Sequence, residues 1–312
     1  MPEKGPTGST RCGQDILQPQ LPLSGLLYRE KETSPRFDKI AAALHTALDR
    51  CRSLLLELGC TVSWQKTDSH GQQELVTETD QAVERILIET IKGVDPKVAI
   101  VAEETLSDTS ALKQQRCFVI DPIDGTKEFV AGRDGFSISV ALLEARRPVF
   151  AIVDFPARRQ RFVARSGLGV SLNGQPLKLP ERPAGGPLRV AVSPKQFADS
   201  RFRRVRSDPD SITFVPTGAL VSKVVGVATG VYDAAFSFGW EGSSAPIWDF
   251  AGAGLILQEA GGFFSSLDGS PLLEAMKAIH GDGWLAESPS CQRRLRDWIS
   301  LPLGLDKELD GS

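Results

Sequence analysis

The sequence predicts an α+β protein built in two parts, and three observations predict it. Amphipathic helical patterns stand near the start, over Phe37–Leu58 and around Val83–Ile91. A run of adjacent short strand-like segments follows between 118 and 172. Beyond the Pro- and Gly-rich stretch Pro180–Pro187 the pattern changes to strand and helix in alternation. Helices followed by neighbouring strands make residues 37–183 an α+β lobe. Alternation makes residues 184–312 an α/β lobe.

Residues 1–36 are rich in Gly, Pro, Ser and Gln without a period and read as a flexible leader, not a secretory signal. Ile40, Leu44, Leu48, Cys51, Leu55 and Leu58 recur at helical spacing, and Gly59 ends that helix. Lys66 to Glu74 reads as a polar loop. Leu75–Asp80 leads into the second helix, with Gly93 after it and Asp80 in its first turn. Val98–Val101 is a short buried strand ending in Glu103-Glu104-Thr105. Phe118–Ile120, Phe136–Leu143, Val149–Phe155, Arg161–Ala164 and Gly169–Leu172 are strands, the last closed by the Asn173-Gly174 turn signal. After the linker come strands at Leu188–Val192, Ile212–Val215, Tyr232–Phe236 and Gly283–Ala286. Helices are expected at Ala219–Ala228, Trp248–Ala260 and near Cys291–Ile299.

The 312 residues are 41% apolar and 24% charged with a net charge of −3. That balance carries no basic footprint for a nucleic-acid polymer. No apolar run approaches the roughly 20 residues of a membrane span. Five scattered cysteines without a CxxC pair point to reduced, buried thiols and a cytoplasmic protein.

The chemistry collects at element ends, in Asp80, Glu103, Asp121, Asp124 and Asp249. Taken singly, Asp80 is also a carboxylate favoured by a helix dipole, and Glu103-Glu104 also a solvated loop. Together, acids delivered by an apolar strand to a Gly125-Thr126 turn repel unless a cation lies between them, and oxygen ligands beside a phosphate favour Mg2+. The backbone at Gly125-Thr126 can hold phosphate oxygens. These residues point to metal-assisted hydrolysis of a phosphate monoester. The aspartyl-phosphate signature D-x-D-G-T differs here as D-x-x-D-G-T, and the shift turns the first acid to the other strand face, which argues against a covalent aspartate route. No Walker A run occurs.

Four blocks resemble the inositol monophosphatase superfamily of Mg2+-dependent, lithium-sensitive phosphomonoesterases. They are Leu75–Asp80, Val101-Ala102-Glu103-Glu104-Thr105, Asp121-Pro122-Ile123-Asp124-Gly125-Thr126, and Trp248-Asp249 with Glu259-Ala260-Gly261-Gly262 after it. The resemblance spans nearly all of residues 37–300 and implies a layered αβαβα sandwich. It also implies that Glu103, Asp121 and the Ile123 carbonyl hold one Mg2+, that Asp121, Asp124 and Asp249 hold a second, and that Asp80 with Glu103 positions a third. Thr126, paired with Asp80, would orient the attacking water. Gly125 and Thr126 would contact the phosphate, with Asp249 also on the substrate side. Family members are often homodimers, although no exposed stripe in this sequence compels one.

Lys127-Glu128-Phe129 after Gly-Thr is similar to the bacterial 3′(2′),5′-bisphosphate nucleotidases, and Ile247 before Trp248 leans the same way. Lys127 and Lys223 are the candidates for a second phosphate. The glutamate that binds inositol hydroxyls in the family falls at Gly242 here, with Glu241 beside it. The resemblance therefore implies a small phosphorylated metabolite as partner, adenosine 3′,5′-bisphosphate first and inositol 1-phosphate second. Histidinol phosphate, fructose 1,6-bisphosphate and a non-catalytic sensor stand behind them.

Overall fold

A computed structural model describes residues 35–58, 63–67, 73–105, 107–182, 185–205, 212–239, 245–274, 276–280, 283–292 and 295–296. The elements run α1 (Pro35–Leu58), β1 (Ser63–Thr67), β2 (Gln73–Thr77), α2 (Glu78–Val94), β3 (Ala99–Ala102), a 3-10 turn (Thr109–Lys113), β4 (Arg116–Asp124), α3 (Thr126–Val130) and β5 (Ser137–Glu144). Then come β6 (Arg147–Phe155), β7 (Gln160–Arg165), β8 (Gly169–Leu172), β9 (Gln175–Leu177), β10 (Leu188–Val192), α4 (Pro194–Ala198), α5 (Ser200–Val205) and β11 (Ile212–Pro216). The chain continues through α6 (Leu220–Ala228), β12 (Ala234–Ser237), β13 (Ala245–Pro246), α7 (Ile247–Ala260), β14 (Phe263–Ser265), β15 (Ile279–His280) and β16 (Trp284–Glu287).

Strands β3 to β9 form a seven-stranded sheet in sequence order, parallel at β3–β4 and antiparallel beyond. A five-stranded sheet has the order β11-β10-β12-β16-β14. Three apolar cores set the layers. Leu44, Leu48 and Leu55 of α1 and Val83, Leu87 and Ile91 of α2 pack on Phe118, Ile120, Val140, Leu142 and Phe150, one face of the large sheet. The opposite face, with Val119, Ala141 and Val153, packs on α6 and α7, which also meet Ala191, Ala235 and Ala286 of the small sheet. The small sheet's far face, with Val190, Val192 and Phe236, is covered by Phe202 of α5, Cys291 and Leu295. The result is the αβαβα sandwich. Strands β3 to β6 of the large sheet are buried on both sides, which is why they read as continuous apolar runs. Helix α7 lies between two sheets and is apolar nearly all round.

Several expectations change. Lys66 to Glu74 is not one loop, because β1 and β2 pair with Lys66 opposite Glu74. Backbone pairing needs no apolar run, so polar composition does not forbid it. Gly93 lies inside α2, whose C-cap is Asp95. Asn173 and Gly174 both take positive φ, 50° and 79°, and make the tight turn into β9, a strand too short to show a period. Helices α3, α4 and α5, five or six residues each, escape notice for the same reason. The expected leader through residue 34 and most of Cys291–Ile299 fall outside the described residues, while Pro35 and Arg36, expected in that leader, open α1. Among the described residues no helix is long and apolar enough to cross a membrane.

Candidate active site

Strand register brings the first two acids together. Ala102 of β3 pairs in parallel with Ile120 of β4, and Glu103 N–H continues the ladder to the Ile120 carbonyl at 3.2 Å. Glu103 therefore falls beside Asp121. Counting by twos along each strand, both share the face of Val101 and Val119, the face covered by α6 and α7.

The second strand explains the third acid. Asp121 opposes Ser139 and Asp124 opposes Ser137, so two residues on β4, Pro122 and Ile123, stand against one on β5, Ile138. Pro122, which has no N–H to give a ladder, sits in this bulge. The extra residue returns Asp124 to the face of Asp121, which corrects the regular-strand reading of the D-x-x-D spacing. The Asp124 carboxylate accepts from Leu220 N at 3.2 Å and Val221 N at 2.9 Å, at the start of α6. Next to it Gly125 has φ 85°, and a Cβ there would lie 2.7 Å from Ala219 Cβ. Only glycine fits that turn.

Asp249 lies in the first turn of α7, and its charge reaches both Asp121 and Lys223. The helix approaches β5 closely at Gly252, where a Cβ would meet Ser139 Oγ at 2.6 Å. Asp80 is buried at N3 of α2 in a capping box. Thr77 N donates to Asp80 Oδ2 at 2.8 Å, Thr77 Oγ1 donates to the same oxygen, and Asp80 N donates to Thr77 Oγ1 at 3.2 Å. Thr126 Oγ1 stands 3.4 Å from Asp80 Oδ1 and 3.2 Å from the Ile123 carbonyl.

The remaining candidates separate. Lys127 is exposed at the start of α3, with no side-chain partner among the described residues. Lys223, expected to meet a second phosphate, turns inward instead. It is 5% exposed, donates to the Gly218 carbonyl at 2.7 Å and lies over the Trp284 ring. Burial lowers it to about 8 against the pull of Asp124, Asp249 and Glu128. Glu241 lies outside the described residues. Glu128 is engaged by Arg133 at 2.5 Å. Glu84 was missed. It is fully buried and accepts from the turn after Glu103. A glutamate between Val83 and Leu87 on the apolar face of α2 was its available signal.

Electrostatics sets the chemistry. Burial, then Glu103, Asp124 and Asp249, hold the Asp121 carboxyl well above its ordinary range. Burial raises Asp124 to about 6 and also raises Asp80. Asp121 Oδ1 is buried without a hydrogen-bond partner among the described residues. An orphaned buried oxygen among mutually repelling acids is an arrangement that a hard divalent cation relieves. No three His, Cys, Asp or Glu side chains among the described residues stand at finished ligand spacing. The fit therefore rests on that oxygen and that repulsion.

Comparison with known proteins follows the same lines. The model of the inositol monophosphatase family matches residues 39–296. Inositol monophosphatase 1 of Sus scrofa is 30% identical over 207 residues, 64% of this chain and 73% of that protein. Nus factor SuhB of Escherichia coli K12 is 32% identical over 204 residues, 64% and 74% of the two chains. A solved IMPase/NADP phosphatase complexed with Mg2+ and phosphate shares the fold, with TM-score 0.71 and 18% identity over 85% of this chain and 96% of that one. A family match across residues 39–296 shows that the chain belongs to the inositol monophosphatase family and is a metal-dependent phosphatase.

Proposed function

We propose that the chain is a Mg2+-dependent phosphomonoesterase that hydrolyses adenosine 3′,5′-bisphosphate to AMP and phosphate. The carrying observation for the chemistry is the unpartnered Asp121 Oδ1 within the acid group. Glu103, Asp121, Asp124, Asp249, Asp80 and the Ile123 carbonyl would hold the ions. Bound there, Mg2+ supplies neutralising charge and acidifies water. The Thr126 hydroxyl, between Asp80 and the Ile123 carbonyl, orients the attacking water with Asp80. Gly125 and Thr126 receive the phosphate where the glycine lets backbone come close. Asp124 is held in place by the α6 amides.

For the substrate, the supporting observation is Lys127. It is exposed one residue beyond Thr126, so its ammonium can meet a second phosphate. The solved relative whose name includes NADP phosphatase acts on a phosphorylated nucleotide, which is in keeping. Inositol 1-phosphate is the second reading, favoured by the relatives named inositol monophosphatase.

A panel at equal Mg2+ tests this. Adenosine 3′,5′-bisphosphate is expected to exceed inositol 1-phosphate in kcat/KM, and Lys127→Ala to lower that value about tenfold for the bisphosphate alone, the worth of one charged hydrogen bond. Equal or greater activity on inositol 1-phosphate would defeat the nucleotide reading. Chelation that leaves activity intact would defeat the Mg2+ reading.

A further inference from the structure

Glu84 is buried at 0% exposure, one turn after Asp80 on the same face of α2. Its Oε2 accepts from Glu104 N at 2.7 Å. Its Oε1 accepts from Thr105 N at 2.9 Å and from the Thr105 hydroxyl. Three donors occupy both oxygens, which marks Glu84 as a holder of backbone and not itself a metal ligand. These donors belong to the two residues that follow Glu103. On the other side, the Glu103 N–H is fixed to the Ile120 carbonyl. The backbone of Glu103 is thus clamped before and after its side chain, one ladder step from Asp121.

We infer that Glu84 is a positioning residue that holds Glu103 beside Asp121 and so sets the affinity for the divalent cation. The inference rests on the Mg2+ phosphatase reading. Without the clamp, the turn after β3 could place the Glu103 carboxylate in several positions, and ordering it would be charged against cation binding. Because Asp80 and Glu84 share one helix face, α2 supplies both the contact to Thr126 and the grip on the Glu103 turn. A glutamate that merely stapled a loop would change folding stability and leave cation affinity alone.

Glu84→Gln tests this, since it keeps the shape but points an NH2 at backbone or hydroxyl donors. Mg2+ binding is measured by calorimetry on the full chain without substrate, beside thermal unfolding. The dissociation constant is expected to rise about ten- to a hundredfold, as for removal of groups that orient metal ligands, with turnover largely restored at saturating Mg2+. Thr105→Val, which removes one donor, is expected to weaken binding on the order of threefold. On a Glu103→Gln background, Glu84→Gln should add little. Wild-type affinity in Glu84→Gln, or full additivity with Glu103→Gln, overturns the inference. If Glu84→Gln fails to fold, Thr105→Val decides, and unchanged affinity there overturns it. If the wild-type chain neither binds Mg2+ nor hydrolyses a phosphate monoester, the phosphatase reading itself is what has failed.

Discussion

Gly252→Ala probes how α7 delivers Asp249. A Cβ at Gly252 would lie 2.6 Å from Ser139 Oγ, while ordinary contact begins at 3.4 Å, so the shortfall is 3.4 − 2.6 = 0.8 Å. Val153 Cγ2 stands at 3.4 Å and closes the neighbouring escape. Two energies oppose. Alanine in a helix interior is favoured over glycine by about 1 kcal/mol, and overpacking costs about 1–3 kcal/mol. The net loss of stability is therefore about 0–2 kcal/mol, a few degrees of Tm in a chain of this size. Activity responds more strongly. Asp249 lies three residues before Gly252, on the adjacent turn, so lifting α7 from β5 draws its carboxylate away from Asp121. Displacements of this order cost about 10- to 100-fold in rate. The assay is kcat/KM on an aryl phosphate at saturating Mg2+, with thermal unfolding alongside. Ser139→Ala/Gly252→Ala, which removes the obstructing hydroxyl, is expected to recover most of the loss. Wild-type activity in Gly252→Ala, or no recovery in the double variant, would refute the idea that this close approach places Asp249.

Gly125→Ala adds the left-handed penalty of about 1–2 kcal/mol to a 2.7 Å clash with Ala219, so thermal unfolding should drop by several degrees and turnover at least tenfold. Ala219→Gly in the same chain should recover only the steric share. Asp154→Asn breaks a buried carboxylate held by Arg52 and Arg161, both at 2.7 Å. The cost is about 2–4 kcal/mol, below the usual range for buried pairs because Arg52 is a quarter exposed. Urea unfolding should show it, while turnover per folded molecule holds, since this cluster meets α1 on the other side of the sheet from Glu103 and Asp121. Burial pushes Cys51 up to about 12 and Cys117 and Cys291 up to about 11. The unfolded thiols release protons near pH 9, so their contribution is full below about pH 9. It falls as pH rises toward 11–12, by up to about 1.4 kcal/mol per pH unit for each thiol. Unfolding midpoints from pH 8 to 10.5 should steepen downward, and Cys51→Ala should flatten the curve.

Helices α1 and α2 were legible because each buries one stripe against the large sheet, and the stripe is written at a spacing of three and four. Strands β3 to β6 were legible as apolar runs because both their faces are covered. What sequence could not carry was which layer an element joins. The stretch Pro180–Pro187 reads as a boundary, yet α6 and α7 beyond it pack on the large sheet as well as the small one. The clue was present in α7. A helix with Ala251, Gly252, Ala253 and Gly254 in a row and no polar face has two neighbours, not one. Lys223 gave a similar clue, a lysine among valines in α6 that turns its charge inward to the acids.

The acid spacing shows why local pattern alone misled. In an unbroken strand, residues three apart face opposite ways, so D-x-x-D reads as unlike the D-x-D of the aspartyl-phosphate enzymes. The fold needs Asp121 and Asp124 together, and Pro122 makes that available. A proline cannot serve the ladder to β5, and the bulge absorbs one residue, so the register Asp121–Ser139 and Asp124–Ser137 keeps both acids toward α6 and α7. The same bulge leads the chain into the positive φ of Gly125 and then α3, which brings Thr126 within reach of Asp80. The odd spacing therefore does not by itself separate this site from the aspartyl-phosphate enzymes, since both patterns can put two acids on one face. The separation comes from the company the acids keep: Glu103 from the parallel neighbour β3, Asp249 from α7, and an Asp121 oxygen left without a partner among the described residues. Asp121 is buried within the charges of Glu103, Asp124 and Asp249, which fits the ligand role proposed for it better than that of a nucleophile open to substrate.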